Sequence, residues 1–314
     1  MKNASLWIDA DDGVRLFCRR WMPDDTVFPV PRGVVQIVHG MAEHSLRYEY
    51  VASRLCASGF EVWADDHRGH GETARGGVLG YIAESDGFFR VVRDLRLITD
   101  RIRRERPKTP LFLLGHSWGS FLAQSYAQDE GRRLSGCILS GTRGPEGPVL
   151  EAGVALARLV AALKGPRRHS ALLRLLADGN YNKQFRPART PFDWLSRAQS
   201  TVDAYVADPL CGFRMSAGFY RDLFEGLSSI QAPGAVERIP RTLPMYVIAG
   251  SQDPVGGNGK GPAALVEAYR SAGLTDLEFV LYPDARHEIL NETNRDEVIG
   301  ALVSWLDRHV GPAA

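Results

Sequence analysis

Residues 111–114, Leu-Phe-Leu-Leu, run directly into Gly115-His116-Ser117-Trp118-Gly119 and then into Ser120-Phe121-Leu122-Ala123. A short apolar run without charge reads as a strand buried on both faces. The residues after Gly119 carry a helical pattern, so the pentapeptide has to turn a strand into a helix. Such a turn strains the serine backbone and leaves little room for flanking side chains, a need that glycines at 115 and 119 meet. The helix then starts beneath Ser117, and its first N–H groups and positive dipole end face any negative charge that develops beside the hydroxyl. Gly-x-Ser-x-Gly alone is a weak signal. Set between a strand and a helix, it is a nucleophile elbow.

The rest of the chain supplies the sheet that such an elbow needs. Residues 5–10 and 14–21 alternate and are joined by Asp11-Asp12-Gly13, a hairpin signal. Residues 33–39 form a β-branched strand that runs into a second glycine turn, Gly40-Met41-Ala42-Glu43-His44-Ser45. A helix is expected over 48–57 with Gly59 as its cap, then a strand over 60–65. Phe88, Val91, Val92, Leu95, Ile98 and Ile102 share one face of an amphipathic helix over 88–104. Further strands are expected at 134–140, 245–250 and 277–282, and a closing helix at 295–309. Strands alternating with helices predict a doubly wound, mainly parallel sheet with its ligand site at the carboxyl ends of the strands.

That alternation breaks between about 141 and 243, where helical stretches at 149–163, 171–177, 200–206 and 217–227 occur without a convincing buried strand. Turn-rich links fall at 179–191 and 208–213. The expectation is a core of residues 1–142 and 242–314 carrying an inserted helical cap, 143–241. Its stripe of Val149, Ala152, Leu156, Leu159, Val160 and Leu163 either packs on the core or touches a membrane surface. Its polar residues are scattered along the sequence.

Composition narrows the function classes. At 314 residues, with 44% hydrophobic and 24% charged, the chain has the make-up of a soluble globular protein. A formal net charge of +1 gives no reason to expect nucleic acid as a partner. The first residues lack the apolar core of a signal peptide, and no run approaches the roughly 20 apolar residues that span a bilayer. Cys18, Cys56, Cys137 and Cys211 show no metal spacing and read as reduced packing residues, so a cytoplasmic protein without a metal is expected.

A serine hydroxyl is a poor nucleophile until a base takes its proton. Of eight histidines, His287 lies in the loop after the last strand, where the order serine, acid, histidine of an α/β-hydrolase places the base. His116 reads as a brace of the elbow, and His39 and His44 as shapers of the second glycine turn. The acid is expected after the penultimate strand, at Asp253, with Asp284 as competitor. Asp253 would fix the imidazole tautomer and stabilise the imidazolium. Acyl transfer also needs two N–H donors for the oxyanion, assigned to Trp118 and Met41.

His39-Gly40-Met41-Ala42-Glu43-His44 with Tyr48, Asp65-Asp66-His67-Arg68-Gly69-His70-Gly71 and Gly115-His116-Ser117-Trp118-Gly119 resemble the monoacylglycerol lipase and lysophospholipase group of serine hydrolases. Asn182-Lys183-Gln184-Phe185, Phe192-Asp193-Trp194-Leu195-Ser196-Arg197 and Asp208-Pro209-Leu210-Cys211-Gly212-Phe213 resemble its bacterial members. The resemblance spans nearly the whole chain. It implies the α/β-hydrolase fold, cleavage of carboxylic esters such as monoacylglycerols or lysophospholipids, a small acyl ester as partner, and no cofactor. Gly40 and Trp118 are then expected to touch substrate. Trp118 stands where the group more often has methionine, so its ring is expected to narrow the pocket. A proline iminopeptidase-like amide hydrolase is the alternative, since those enzymes share Ser-Trp-Gly, but they carry His-Gly-Gly-Pro-Gly where this chain has His39-Gly40-Met41-Ala42. A non-catalytic binding module on the same fold is the other.

Overall fold

A computed structural model describes residues 1–177 and 181–311. Eight strands, β1 (Lys2–Asp9), β2 (Arg15–Met22), β3 (Gly33–Val38), β4 (Phe60–Asp65), β5 (Leu111–His116), β6 (Gly136–Ser140), β7 (Met245–Gly250) and β8 (Leu277–Tyr282), form one sheet in the order β1-β2-β4-β3-β5-β6-β7-β8. The first two strands pair antiparallel, as does β2 with β4, and every later pair is parallel. The sequence order reverses between β3 and β5, which is where a doubly wound sheet opens a crevice at its strand ends.

Period-two burial fixes the two faces of the sheet. Val34 and Val38 of β3 and Leu111 and Leu113 of β5 join one apolar cluster, while Val35, Ile37, Phe112 and Leu114 join another. Nine helices occur among the described residues: α1 (Glu49–Ala57), α2 (Gly87–Glu105), α3 (Trp118–Glu130), α4 (Pro148–Lys164), α5 (Ala171–Ala177), α6 (Gln199–Ala207), α7 (Ala217–Ile230), α8 (Lys260–Ser271) and α9 (Arg295–His309). Residues of α2, α3 and α8 belong to the first cluster and those of α1 and α9 to the second. Each fully buried aliphatic side chain contributes roughly 1.5–3 kcal/mol, so this double layer rigidly holds β5 and the turn that follows it.

The structure adds α8, which the sequence reading leaves unassigned. Pro262 lies in the first turn of this helix, where proline removes no intrahelical bond. Between β6 and β7 the described residues form α4 to α7, with a single isolated bridge, His169 to Ser216, as their only strand-like pairing. The first two residues of the expected link at 179–191 lie outside the described residues. α7 starts at Ser216, whose side chain accepts the Phe219 N–H at 3.1 Å. Phe219, Leu223, Leu227 and Ile230 share the apolar cluster of α2 and α3, and a Cβ at Gly226 would collide with the Phe88 ring. This segment therefore packs on the sheet layers through one continuous core.

Of the two readings of the α4 stripe, packing on the core holds for only part of it. Its buried face is Leu150, Val154, Ala157, Val160 and Ala161, so of the six stripe residues only Val160 is buried. Val149 and Leu163 are each 77% exposed, and Leu159 is exposed as well. Leu172, Leu175 and Leu176 of α5 are likewise exposed. No helix among the described residues is long and apolar enough to cross a membrane. All four cysteines are free and buried.

Candidate active site

Ser117 sits between β5 and α3 with φ 54° and ψ −123°, a positive-φ backbone conformation that costs a non-glycine residue about 1–3 kcal/mol. Its surroundings enforce it. The Ser117 N–H donates to the Ser140 carbonyl at 2.9 Å, and the Ser117 carbonyl accepts the Ser120 N–H at 2.8 Å and the Ser120 hydroxyl at 2.5 Å. A Cβ at Gly115 would strike the Gly119 carbonyl, and one at Gly119 would strike the Val38 carbonyl. Trp118 opens α3, so its N–H has no intrahelical acceptor.

The loop after β3 supplies a second donor by exhausting its neighbours. The Gly40 N–H is taken by Glu43 Oε1 at 2.6 Å, and the Ala42 N–H by His70 Nε2 at 3.2 Å. The Met41 N–H between them has no partner among the described residues. Gly40 lets this loop approach the elbow, since a Cβ there would lie 3.2 Å from Ser117 Cβ. Two buried histidines lock the loop from behind. His39 Nδ1–H donates to the Gly40 carbonyl at 2.7 Å while its Nε2 accepts the His67 N–H at 3.0 Å. His70 Nδ1–H donates to the Arg68 carbonyl at 2.9 Å. With a carbonyl on one nitrogen and an N–H on the other, both rings are neutral. Burial holds His39 far below the usual histidine range and pushes His70 down to about 3.

His287 and Asp253 meet after the last two strands. His287 Nδ1 lies 3.0 Å from each Asp253 carboxylate oxygen, and the Val255 N–H holds Oδ1 from behind at 2.9 Å. Both side chains are buried. Asp284 is not at the site. It is exposed, its Oδ1 accepts from Gln252 at 3.3 Å, and its N–H donates to Ser251 Oγ at 2.8 Å. His116 bonds Ser140 Oγ through Nδ1 at 3.2 Å, with its ring 4.8 Å from that of His287. Burial and the neighbouring His287 lower His116 to about 4, which fits a neutral brace. His67, read as a loop residue, is fully buried. Its Nδ1–H donates to Asp65 at 2.7 Å, and that carboxylate raises its pKa against the effect of burial.

Gly40, Met41, Ser117, Trp118 and His287 all line one cleft of about 930 Å³, mouth included. Asp253 stands behind His287. Tyr181, Trp194, Tyr205 and Leu223, from the segment between β6 and β7, close the other side. The Trp118 ring stacks on His70 at 5.5 Å and meets Phe219 edge-on at 5.0 Å, so it is wedged in place as a wall. The Trp194 ring lies 5.0 Å from His287, whose N–H donates to the Trp194 carbonyl at 3.4 Å.

Sequence reasoning missed a buried ion network beside this cleft. Arg47 grips Glu288 with two bonds of 2.7 Å and Glu43 with one of 2.6 Å, and lies 4.8 Å from the Tyr205 ring centre. Tyr48 also donates to Glu43, at 2.9 Å. The loop after β3 and the His287 loop are thereby tied together. Burial pushes the Glu288 carboxyl up, but the Arg47 charge and hydrogen bonds outweigh it and hold the group below its usual range. Glu43 and Arg47 have helical i,i+4 spacing, but nothing in the sequence connects either to residue 288. Breaking such a pair leaves buried charge uncompensated. Arg47→Met is expected to cost about 3–5 kcal/mol of unfolding free energy at pH 7. Because Glu288 has a lowered folded pKa, its contribution is present above its unfolded value near 4.3 and is lost as pH falls through the folded value. Urea melts of both proteins should therefore converge as pH falls below the unfolded value and through the lower folded one. Equal melts at pH 7 would show that the network adds nothing to stability.

One grouping among the described residues has metal-ligating atoms within 4.8 Å of one another: His44, Asp208 and Cys211. His44 Nε2 already pairs with Asp208 at 2.9 Å, which pins the residue after α6 to the loop after β3.

The elbow, the loop after β3 and the Asp253–His287 pair at one end of a doubly wound sheet define an α/β-hydrolase. Residues 29–294 match the model of the Hydrolase_4 family, described as serine aminopeptidase, S33, and the chain belongs to that family. A monoacylglycerol lipase of Mycolicibacterium smegmatis is 31% identical over 303 residues, 95% of each chain. A monoglyceride lipase of Mus musculus is 30% identical over 307 residues, 96% of this chain and 90% of the mouse protein. The solved structure of a thermostable carboxyl esterase from Bacillus coagulans, in complex with glycerol, superposes with a TM-score of 0.87 at 30% identity, covering 99% of each chain.

Proposed function

We propose that the protein is a serine hydrolase that cleaves medium-chain acyl esters, of the monoacylglycerol or lysophospholipid kind, through an acyl-enzyme on Ser117. The observation that carries this reading is the Asp253–His287 pair opening, with Ser117, onto a cleft walled largely by apolar and aromatic side chains. Ser117 Oγ attacks the ester carbonyl carbon while His287 Nε2 takes its proton, with Asp253 holding the other ring nitrogen as donor. The Met41 and Trp118 N–H groups receive the developing oxyanion. Collapse expels the alcohol, which takes the proton from His287, and water then releases the acid by the same steps in reverse.

Residues 143–241 act as the cap that selects substrate, and the core is 1–142 with 242–314. The exposed leucines of α4 and α5 support a transient contact of this cap with a membrane surface. The four free cysteines fit a cytoplasmic setting. An aminopeptidase reading needs an unpaired carboxylate for the substrate ammonium, and among the described residues the two carboxylates at this cleft, Glu43 and Glu288, are both held by Arg47.

A cleft lined in this way rewards each added methylene with up to about 0.8 kcal/mol when fully buried. Across nitrophenyl and glycerol esters, kcat/KM is expected to rise several-fold per two carbons from acetate to medium chains and then level off. With Trp118 as the wall that ends the acyl site, Trp118→Met shifts the optimum to longer chains. An optimum at acetate would remove the acyl site from this reading. An unchanged optimum in the variant would clear Trp118 of setting its length.

A further inference from the structure

The cleft has a basic margin that the ester chemistry does not use. Arg174 of α5 and Arg214, in the link before α7, both line it, and both also line a smaller adjoining cavity of about 360 Å³, mouth included. Neither guanidinium has an ion-pair or hydrogen-bond partner among the described residues. Arg143, the third arginine lining the cleft among the described residues, is occupied by Glu146 at 3.1 Å, and Arg47 beside the cleft is held by its two glutamates. Among the described residues the remaining polar walls of the smaller cavity are His169 and Ser170, and no acidic side chain lines it. His169 Nδ1–H donates to the Met215 carbonyl at 3.1 Å, and Ser170 Oγ accepts the Leu173 N–H at 3.3 Å, which leaves the serine hydrogen to give. Two guanidinium forks and a hydroxyl around a concave space with no carboxylate among the described residues match the donor demand of a phosphate group.

Position decides where that phosphate would come from. The smaller cavity shares Arg174, Arg214 and Met215 with the cleft that holds Ser117, so one molecule can reach both. The apolar walls suit an acyl chain, which leaves the polar alcohol portion for the arginines. We infer that Arg174 and Arg214 form a subsite for a phosphate carried on the alcohol portion of the ester, which narrows the substrate class to phosphate-bearing acyl esters such as lysophospholipids. This inference rests on the ester-hydrolase reading above.

The test compares two esters of one acyl length, 1-decanoylglycerol and 1-decanoylglycerol 3-phosphate, on wild type, the double variant Arg174→Gln/Arg214→Gln and the charge-retaining Arg174→Lys/Arg214→Lys. Both positions are exposed, so the fold should tolerate the changes. The ratio of kcat/KM, phosphate ester over neutral ester, is expected to fall about ten- to a hundredfold in the glutamine variant, through KM, with partial recovery in the lysine variant. The wild-type ratio should also fall as salt is raised. Inorganic phosphate should compete with the phosphate ester in wild type and lose that effect in the glutamine variant. A ratio unchanged by the glutamine substitutions, with the neutral ester still hydrolysed, overturns the subsite and leaves the ester reading standing. Competition by inorganic phosphate together with an unchanged ratio assigns the arginines to free phosphate and overturns the substrate assignment. Failure of wild type to hydrolyse either ester overturns the ester reading and the subsite with it.

Discussion

Ser117→Ala is expected to lower kcat for any ester substrate by about 10⁴- to 10⁶-fold while leaving the protein folded, because the residual rate then comes only from binding and the oxyanion donors. The substitution deletes one hydroxyl and no packing. The strained backbone at 117 is enforced by the bonds to Ser140 and Ser120 and by the close approach of Gly115 and Gly119, none of which involves the serine oxygen. The thermal midpoint should therefore move by no more than a few degrees, in line with substitutions that disturb no packing or buried bond. A folded variant that keeps more than about one hundredth of wild-type kcat would remove Ser117 from the chemistry.

The second large effect separates two acids. Asp253→Asn is expected to cost on the order of 10⁴-fold in kcat, because the amide presents a donor to His287 Nδ1 and admits the wrong tautomer. Asp284→Asn should change kcat by less than a few-fold, since that carboxylate is exposed and occupied by Gln252 and its loop holds it away from His287. Parallel steady-state kinetics on the two variants read the difference directly. The reverse ranking would transfer the role to Asp284 and require a loop arrangement other than the one described.

The parts of the site that depend on chain order were legible in the sequence. A buried strand announces itself by composition, and the residue just past its end is fixed in register, so Ser117 could be placed beside Met41 from β5 and β3 alone. Asp253 and His287 follow from the same logic at β7 and β8. The remainder depends on contacts that no local pattern encodes. Arg47 meets Glu288 across 241 positions of sequence, and Arg174 and Arg214 meet around a cavity although they read as scattered cap polars. The α4 stripe stayed open between core and surface because alanine and leucine alternate all round that helix, so periodicity alone could not choose between a face toward α7 and a face toward solvent. The start of α8 was hidden because glycines and a proline in a first turn look the same as a loop until the turn is seen to be helical.

The central claim is that one serine, held in a strained elbow and served by His287, forms the covalent intermediate. A fluorophosphonate probe tests it most directly, since only an activated hydroxyl reacts at neutral pH. Wild-type protein should incorporate one equivalent with loss of esterase activity, and peptide mapping by mass spectrometry should place the adduct on Ser117. Labelling should be absent from Ser117→Ala and strongly slowed in Asp253→Asn. An adduct on any other serine that tracks the loss of activity, or full labelling of the Ser117→Ala protein, would contradict the account.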